Sequence, residues 1–150
     1  NPRPAALLAA AHAQRRQAHL MIAIRDGVAV VGPFVPPGGG PCLNCFDLHR
    51  RDRDPAWPQL AAQLATGNGE RVEPCEVATV LAATGFAAAE VLGYLDGLAP
   101  ATVGATVEIT APGRLRRRTW AAHPGCGCVG VRRRVRGGDG EPAPVRRRQS

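Results

Sequence analysis

Residues 19–45 read HLMIAIRDGVAVVGPFVPPGGGPCLNC, and the order of parts in that stretch sets the fold. His19 to Arg25 is an apolar, strand-forming run, Asp26-Gly27 is a two-residue hairpin turn, and Val28 to Val31 returns as a second strand. Pro33 to Pro41 is expected to be a loop, since its prolines and glycines cannot sustain a ladder. That loop delivers Cys42 and Cys45. Two thiols so spaced on a tight knuckle can aim at one tetrahedral ion.

A second cysteine pair lies far along the chain, in HPGCGC at 123–128. It follows another expected hairpin, Ala105 to Thr110 and Leu115 to Trp120 around Ala111-Pro112-Gly113. Joining the two pairs closes about 80 intervening residues, so that metal-binding energy becomes folding energy. The reading is a structural zinc ion on Cys42, Cys45, Cys126 and Cys128. His123 stands in reserve, because the second pair is separated by a single residue. Four protein ligands leave no place for a catalytic water, so the zinc is expected to act as a staple. A redox dithiol, a nucleic-acid zinc ribbon and incidental buried cysteines are the competing readings. A redox dithiol usually opens a helix without a second pair, and a ribbon sets its pairs about 15–20 residues apart.

Cys75 precedes a long helix, whose N-terminus lowers a thiol's pKa and would make it a reactive thiol; the preferred reading is a cysteine packed at the helix start, and no catalytic residue is assigned. His49 stands among Asp47, Arg50, Asp52, Arg53 and Asp54. The composition is that of a catalytic cluster, but the alternation of charge is that of a salt-linked surface segment.

Between these landmarks the expected elements are helical. Pro4 to Gln17 forms a helix, and Phe46 to Arg51 a short helical turn. Asp54 caps a helix running to about Ala65, with Pro55 at its first position. Glu76 to about Asp96 is the longest helix, apolar nearly all round and therefore expected to be buried, with Gly97 as its stop. Residues 1–18 form an N-terminal helical segment, 19–130 the zinc-bearing subdomain, and 131–150 an Arg-rich tail expected to be disordered. The opening Asn1-Pro2-Arg3-Pro4 suggests a fragment whose start lies upstream.

A length of 150 residues suits one domain that needs no disulfides, and 45% hydrophobic residues argue against wholesale disorder. Every one of the 19 basic residues is arginine, which excludes a P-loop lysine, a Schiff-base lysine and a lysine general base. Seven arginines fall between Arg132 and Ser150 against Asp139 and Glu141, so the tail holds most of the net charge of +7. Such a tail is a solvated segment or a contact for an acidic partner or nucleic acid. The rest of the chain has few aromatics and no basic stripe among them, which argues against nucleic acid. No run approaches the roughly 20 apolar residues of a membrane span, and no signal peptide is present, so the expectation is a cytoplasmic protein without a membrane partner.

The order of strand, Pro/Gly loop, Cys-x2-Cys, helical insert, small-residue helix, hairpin and terminal cysteine pair resembles the C-terminal half of ThiF/MoeB-type, ubiquitin-activating-like adenylyltransferases. Cys75-Glu76-Val77 through Ala89-Glu90-Val91-Leu92 is similar to a helix of that family, and His123 to Cys128 to its closing zinc turn shortened by one residue. A narrower resemblance runs through Val31-Gly32-Pro33-Phe34-Val35, Cys42-Leu43-Asn44-Cys45, Asp47-Leu48-His49-Arg50, residues 52–58 and Ala62-Gln63-Leu64. It is to the ThiF-like cyclodehydratase partner proteins of thiazole/oxazole-modified peptide (bacteriocin) biosynthesis.

The resemblance implies an α/β fold: the C-terminal half of a Rossmann-like ThiF fold with β-hairpins, a long buried helix and a four-cysteine zinc staple. It implies a protein that binds a precursor-peptide leader and presents it to a YcaO-type cyclodehydratase, and that forms homo-oligomers, homodimers above all. Two rivals remain. One is an ATP-dependent adenylyltransferase acting on the C-terminus of a ubiquitin-like sulfur carrier; the other is a zinc-ribbon-like nucleic-acid binder. ATP and Mg2+ belong to the reading only with an upstream nucleotide-binding half. The family's Gly-rich nucleotide loop is not in this sequence, and Gly38-Gly39-Gly40 precedes a cysteine knuckle. Adenylation by this chain alone is therefore not expected.

Overall fold

The computed structural model describes residues 4–66 and 74–128. Its elements are α1 (Pro4–Gln14), β1 (His19–Arg25), β2 (Val28–Val35), α2 (Leu43–Arg53), α3 (Trp57–Thr66), α4 (Val77–Leu95), β3 (Ala105–Ala111) and β4 (Arg114–Thr119). The four strands form one antiparallel sheet in the order β1-β2-β3-β4. The fold is thus mixed α/β, with two hairpins joined side by side. The expected tail at 131–150 lies outside the described residues.

The first hairpin turns where its local chemistry demands. Asp26 and Gly27 both adopt positive φ, 51° and 76°, as a two-residue turn matched to strand twist requires. β2 then runs further than the expected Val31, through Gly32 and Pro33 to Val35. Its ladder with β3 covers Ala29 to Val31, so Pro33 lies beyond the pairs that need its missing N–H. Phe34 resumes bonding by donating its N–H to the Thr102 carbonyl at 3.0 Å. Only glycine fits at position 32: φ is +103°, and a Cβ there would lie 2.5 Å from the Ala105 carbonyl oxygen.

Strand alternation sends Ala29, Val31, Val107 and Ile109 to one face, where they pack against Ala83 and Ala87 of α4. The small residues let the helix lie close to the sheet. α4 matches its expected span to within a residue at each end, and Gly97 follows it with φ +83°. Its burial does not follow the expectation. Val77 and Leu95 are each 72% exposed and Leu81 is 66% exposed, because among the described residues one sheet covers one side of the helix. By length and composition α4 also meets the criteria of a membrane span, contrary to the expectation from the sequence. One of its faces nonetheless carries buried Thr79, Ala83, Ala87 and Glu90.

Two further boundaries differ. α2 is an 11-residue helix rather than a short turn, and it begins directly after Cys42. Asp54 ends α2 instead of capping α3; its carboxylate accepts the Ala56 N–H at 2.9 Å, and α3 starts at Trp57. Pro55 favours this outcome, since it disfavours helical geometry in the residue before it.

α4 is latched to the segment before β3 through Glu90, whose carboxylate accepts the Ala101 N–H at 3.0 Å, the Thr102 N–H at 2.8 Å and the Thr102 hydroxyl. Glu90 is buried, so these donors have little water to turn to. Glu90→Gln leaves one oxygen for three donors and is expected to cost about 2 kcal/mol in urea unfolding. An unchanged midpoint would show that the latch does not contribute.

Candidate metal centre

The knuckle after β2 forms because Cys42 stays extended, at φ −86° and ψ 171°, while the chain behind it turns helical. The Cys42 carbonyl accepts the Cys45 N–H at 2.9 Å, and this tight turn places both thiols on the same side. The second pair is set by a turn of its own, in which the Cys126 N–H donates to the His123 carbonyl at 2.9 Å. The four sulfurs meet, all within 4.8 Å of one another. Cys42 and Cys126 Sγ are 3.6 Å apart, Cys45 and Cys128 3.3 Å, and Cys42 and Cys45 3.9 Å. Tetrahedral thiolates bonded at about 2.3 Å to one ion are separated by about 3.8 Å. The donor set and its spacing therefore fit a metal ion.

The surroundings are those of a small core. Cys45 and Cys126 are buried with Phe46 and Leu48, and Trp120 and Ala122 pack against them. Without a cation, the crowded thiols cannot all ionise. The hydrogen bond with Cys42 brings Cys45 down to about 4. The same bond, with burial behind it, pushes Cys42 far up, and burial foremost raises Cys128 to about 12. A dication at the centre reverses this by favouring every thiolate.

His123 does not take the reserve position. Its Nδ1 accepts the Gly125 N–H at 3.0 Å and its Nε2 lies 2.8 Å from Asp52 Oδ2, so both nitrogens hold the turn to α2. The first contact leaves the proton on Nε2, which donates to the carboxylate. Asp52 is drawn below the usual carboxylate range, chiefly by this bond. His49 Nε2 pairs with the Ala121 carbonyl at 2.9 Å, and Asp47 accepts the Trp57 indole N–H at 2.7 Å. The charged segment 47–54 is accordingly a brace between α2 and the C-terminal turn. Cys75 stands apart from the four thiols, donating to the Gly27 carbonyl at 3.3 Å. One contact escaped the sequence reading: Asn44 Nδ2 donates to Cys126 Sγ at 3.2 Å.

No family model and no curated protein matches the chain. Solved structures do. E. coli MccB aligns over 84% of the chain at 15% identity and a TM-score of 0.55, using 36% of MccB. The microcin C7 biosynthetic enzyme MccB in complex with N-formylated MccA aligns over 81% at 17% identity and a TM-score of 0.56, again using 36% of that chain. A heterocyclase in complex with substrate and cofactor aligns over 83% at 20% identity and a TM-score of 0.58, using 18% of its length. At such identities the likeness establishes the fold, a ThiF/MoeB-like one. The chain spans about a third of MccB and less than a fifth of the heterocyclase.

Adding Co2+ to the reduced chain is expected to produce thiolate charge-transfer bands and the visible bands of a tetrahedral ion, with Cys45→Ser weakening binding by about tenfold or more. Absence of these bands, with all four thiols still titrating as free, would contradict the site.

Proposed function

We propose that the chain is part of a ThiF-like protein that binds a precursor peptide for enzymatic modification, with one structural zinc ion on Cys42, Cys45, Cys126 and Cys128. The observation that carries the reading is the shared fold, since MccB has been solved with MccA and the heterocyclase with its substrate. The resemblance of residues 31–64 to the ThiF-like partners of azole-forming pathways narrows it. On that reading the protein holds the leader of the precursor and presents it to a YcaO-type partner, which supplies the ATP-driven cyclisation.

Zinc is the ion favoured by four thiolates, and a closed tetrahedral site assigns it a structural role. Cytoplasmic residence accords with this, since a reducing compartment keeps the four thiols available. Residues 19–130 are the subdomain we assign to the ThiF-like part. The outer row of α4, with Val77, Leu81 and Leu95 exposed, is the surface we assign to self-association or to the rest of a longer chain.

A second reading, adenylation of a carrier C-terminus, is favoured by MccB having been solved with ATP. It needs a nucleotide-binding half that residues 1–150 do not supply. The readings separate in one pair of assays on the parent protein. Co-purification of a precursor with its leader, lost when the leader is deleted, is expected for peptide presentation. Pyrophosphate exchange dependent on a sulfur carrier, without leader capture, would overturn it in favour of the second reading.

A further inference from the structure

The sheet face turned away from α4 carries a concentration of guanidinium groups that the metal centre does not use. Strand register decides this. Glu108 pairs with Arg116 and Thr106 with Arg118 across β3 and β4, so Arg114, Arg116 and Arg118 share a face with Thr106 and Glu108. The pairing of Val30 with Glu108 and of Arg25 with Val28 brings Arg25 to the same face. α2 lies beside this face and adds Arg50 and Arg53.

Arg25, Arg50, Arg53 and Arg118 line one cleft of about 380 Å³, with Asp26 and Glu108 as its acidic residues. Glu108 is engaged, its carboxylate 2.8 Å from Arg118 Nε. Arg25 and Arg50 lie 5.9 Å and 5.0 Å from the Trp57 ring centre, and Arg53 lies 4.8 Å from that of Trp120. Arg50 is half-buried, and its pKa falls to about 10 through desolvation first and the nearby Arg25 charge second. Cations that crowd one another away from water are stabilised by an anion placed among them.

We propose that this cleft binds an acidic peptide segment, seating its Asp or Glu carboxylates among Arg25, Arg50, Arg53 and Arg118. Guanidinium groups suit the task because their planar fork matches a carboxylate two bonds at a time. Cation–π contact with Trp57 and Trp120 restrains three of them, so less freedom is lost when the ligand arrives. The same contacts disfavour single-stranded nucleic acid, because arginines already lie over the indole rings that would receive bases. A row of arginines on an edge strand can simply discourage strand addition. That role does not explain a half-buried Arg50 on a helix converging with Arg25 from the opposite edge strand. The inference rests on the peptide-partner reading only for the class of occupant.

Fluorescence anisotropy with a fluorescein-labelled oligoglutamate peptide on the full chain provides the test. Binding that weakens with salt is expected, with about tenfold loss in the double variant Arg25→Gln/Arg53→Gln and partial recovery in Arg25→Lys/Arg53→Lys. Arg51→Gln, on the same helix but facing Asp52 at 3.5 Å, is the control and is expected to bind as wild type. Circular dichroism establishes that each variant is folded. Equal binding by wild type and the Gln double variant would place the affinity on Arg132 to Ser150 or on diffuse charge, and would overturn the proposal. Tighter binding of oligothymidylate, lost in the same variant, would overturn it in favour of nucleic acid. A precursor leader captured equally well by the double variant would remove this cleft while leaving the peptide-partner reading in place.

Discussion

The meeting of four sulfurs from two turns far apart in the chain is the constraint on which the α2 end of this fold depends. Cys42 and Cys45 sit on the knuckle that starts α2; Cys126 and Cys128 sit on the turn that follows the last strand. The apolar core between the sheet and α4 involves neither turn. The second core is small, and buried thiols form half of its fully enclosed members. An unligated cluster of this kind is electrostatically awkward, since one thiolate forces its neighbours to keep their protons. A bound dication turns the same crowding into four bonds, and the closed loop of about 80 residues becomes fixed at both ends.

The consequences run along α2. Once the knuckle is fixed, Asp52 reaches His123, His49 reaches the Ala121 carbonyl, and Phe46 lies against Trp120 with ring centres 5.4 Å apart. These contacts set the rotation of the helix, and the rotation brings Arg50 and Arg53 over the polar face of the sheet. The four-thiol cluster and the arginine cleft are therefore joined through α2, and an ion bound by the thiols would steady both.

What the sequence made legible was mostly local. Asp26-Gly27 could be read because a two-residue turn with positive φ leaves few alternatives, and α4 because its stop and start are marked by Gly97 and Glu76. The cysteine pairs were readable as two knuckles, and their meeting was the one long-range inference that spacing supported. Other features depended on tertiary context. The extension of β2 through Pro33 needed knowledge of where the β3 ladder stops. The half-exposed state of α4 depended on how many sheets were there to cover it. Glu90 is the one charged residue of α4, and its three donors come from a loop that periodicity does not locate. The single-residue gap between Cys126 and Cys128 put His123 in reserve as a ligand, whereas its ring faces Asp52. The arginine face was hidden for the same reason: its members come from β1, α2 and β4, and only register gathers them.

The most direct measurement is bound metal by elemental analysis, on the wild-type chain and on Cys126→Ser, each purified without chelator and each followed through thermal unfolding. The account predicts about one zinc per chain in the wild type, with both the metal and the cooperative transition lost in the variant. A wild-type chain that carries no metal and unfolds as cooperatively as Cys126→Ser would contradict it.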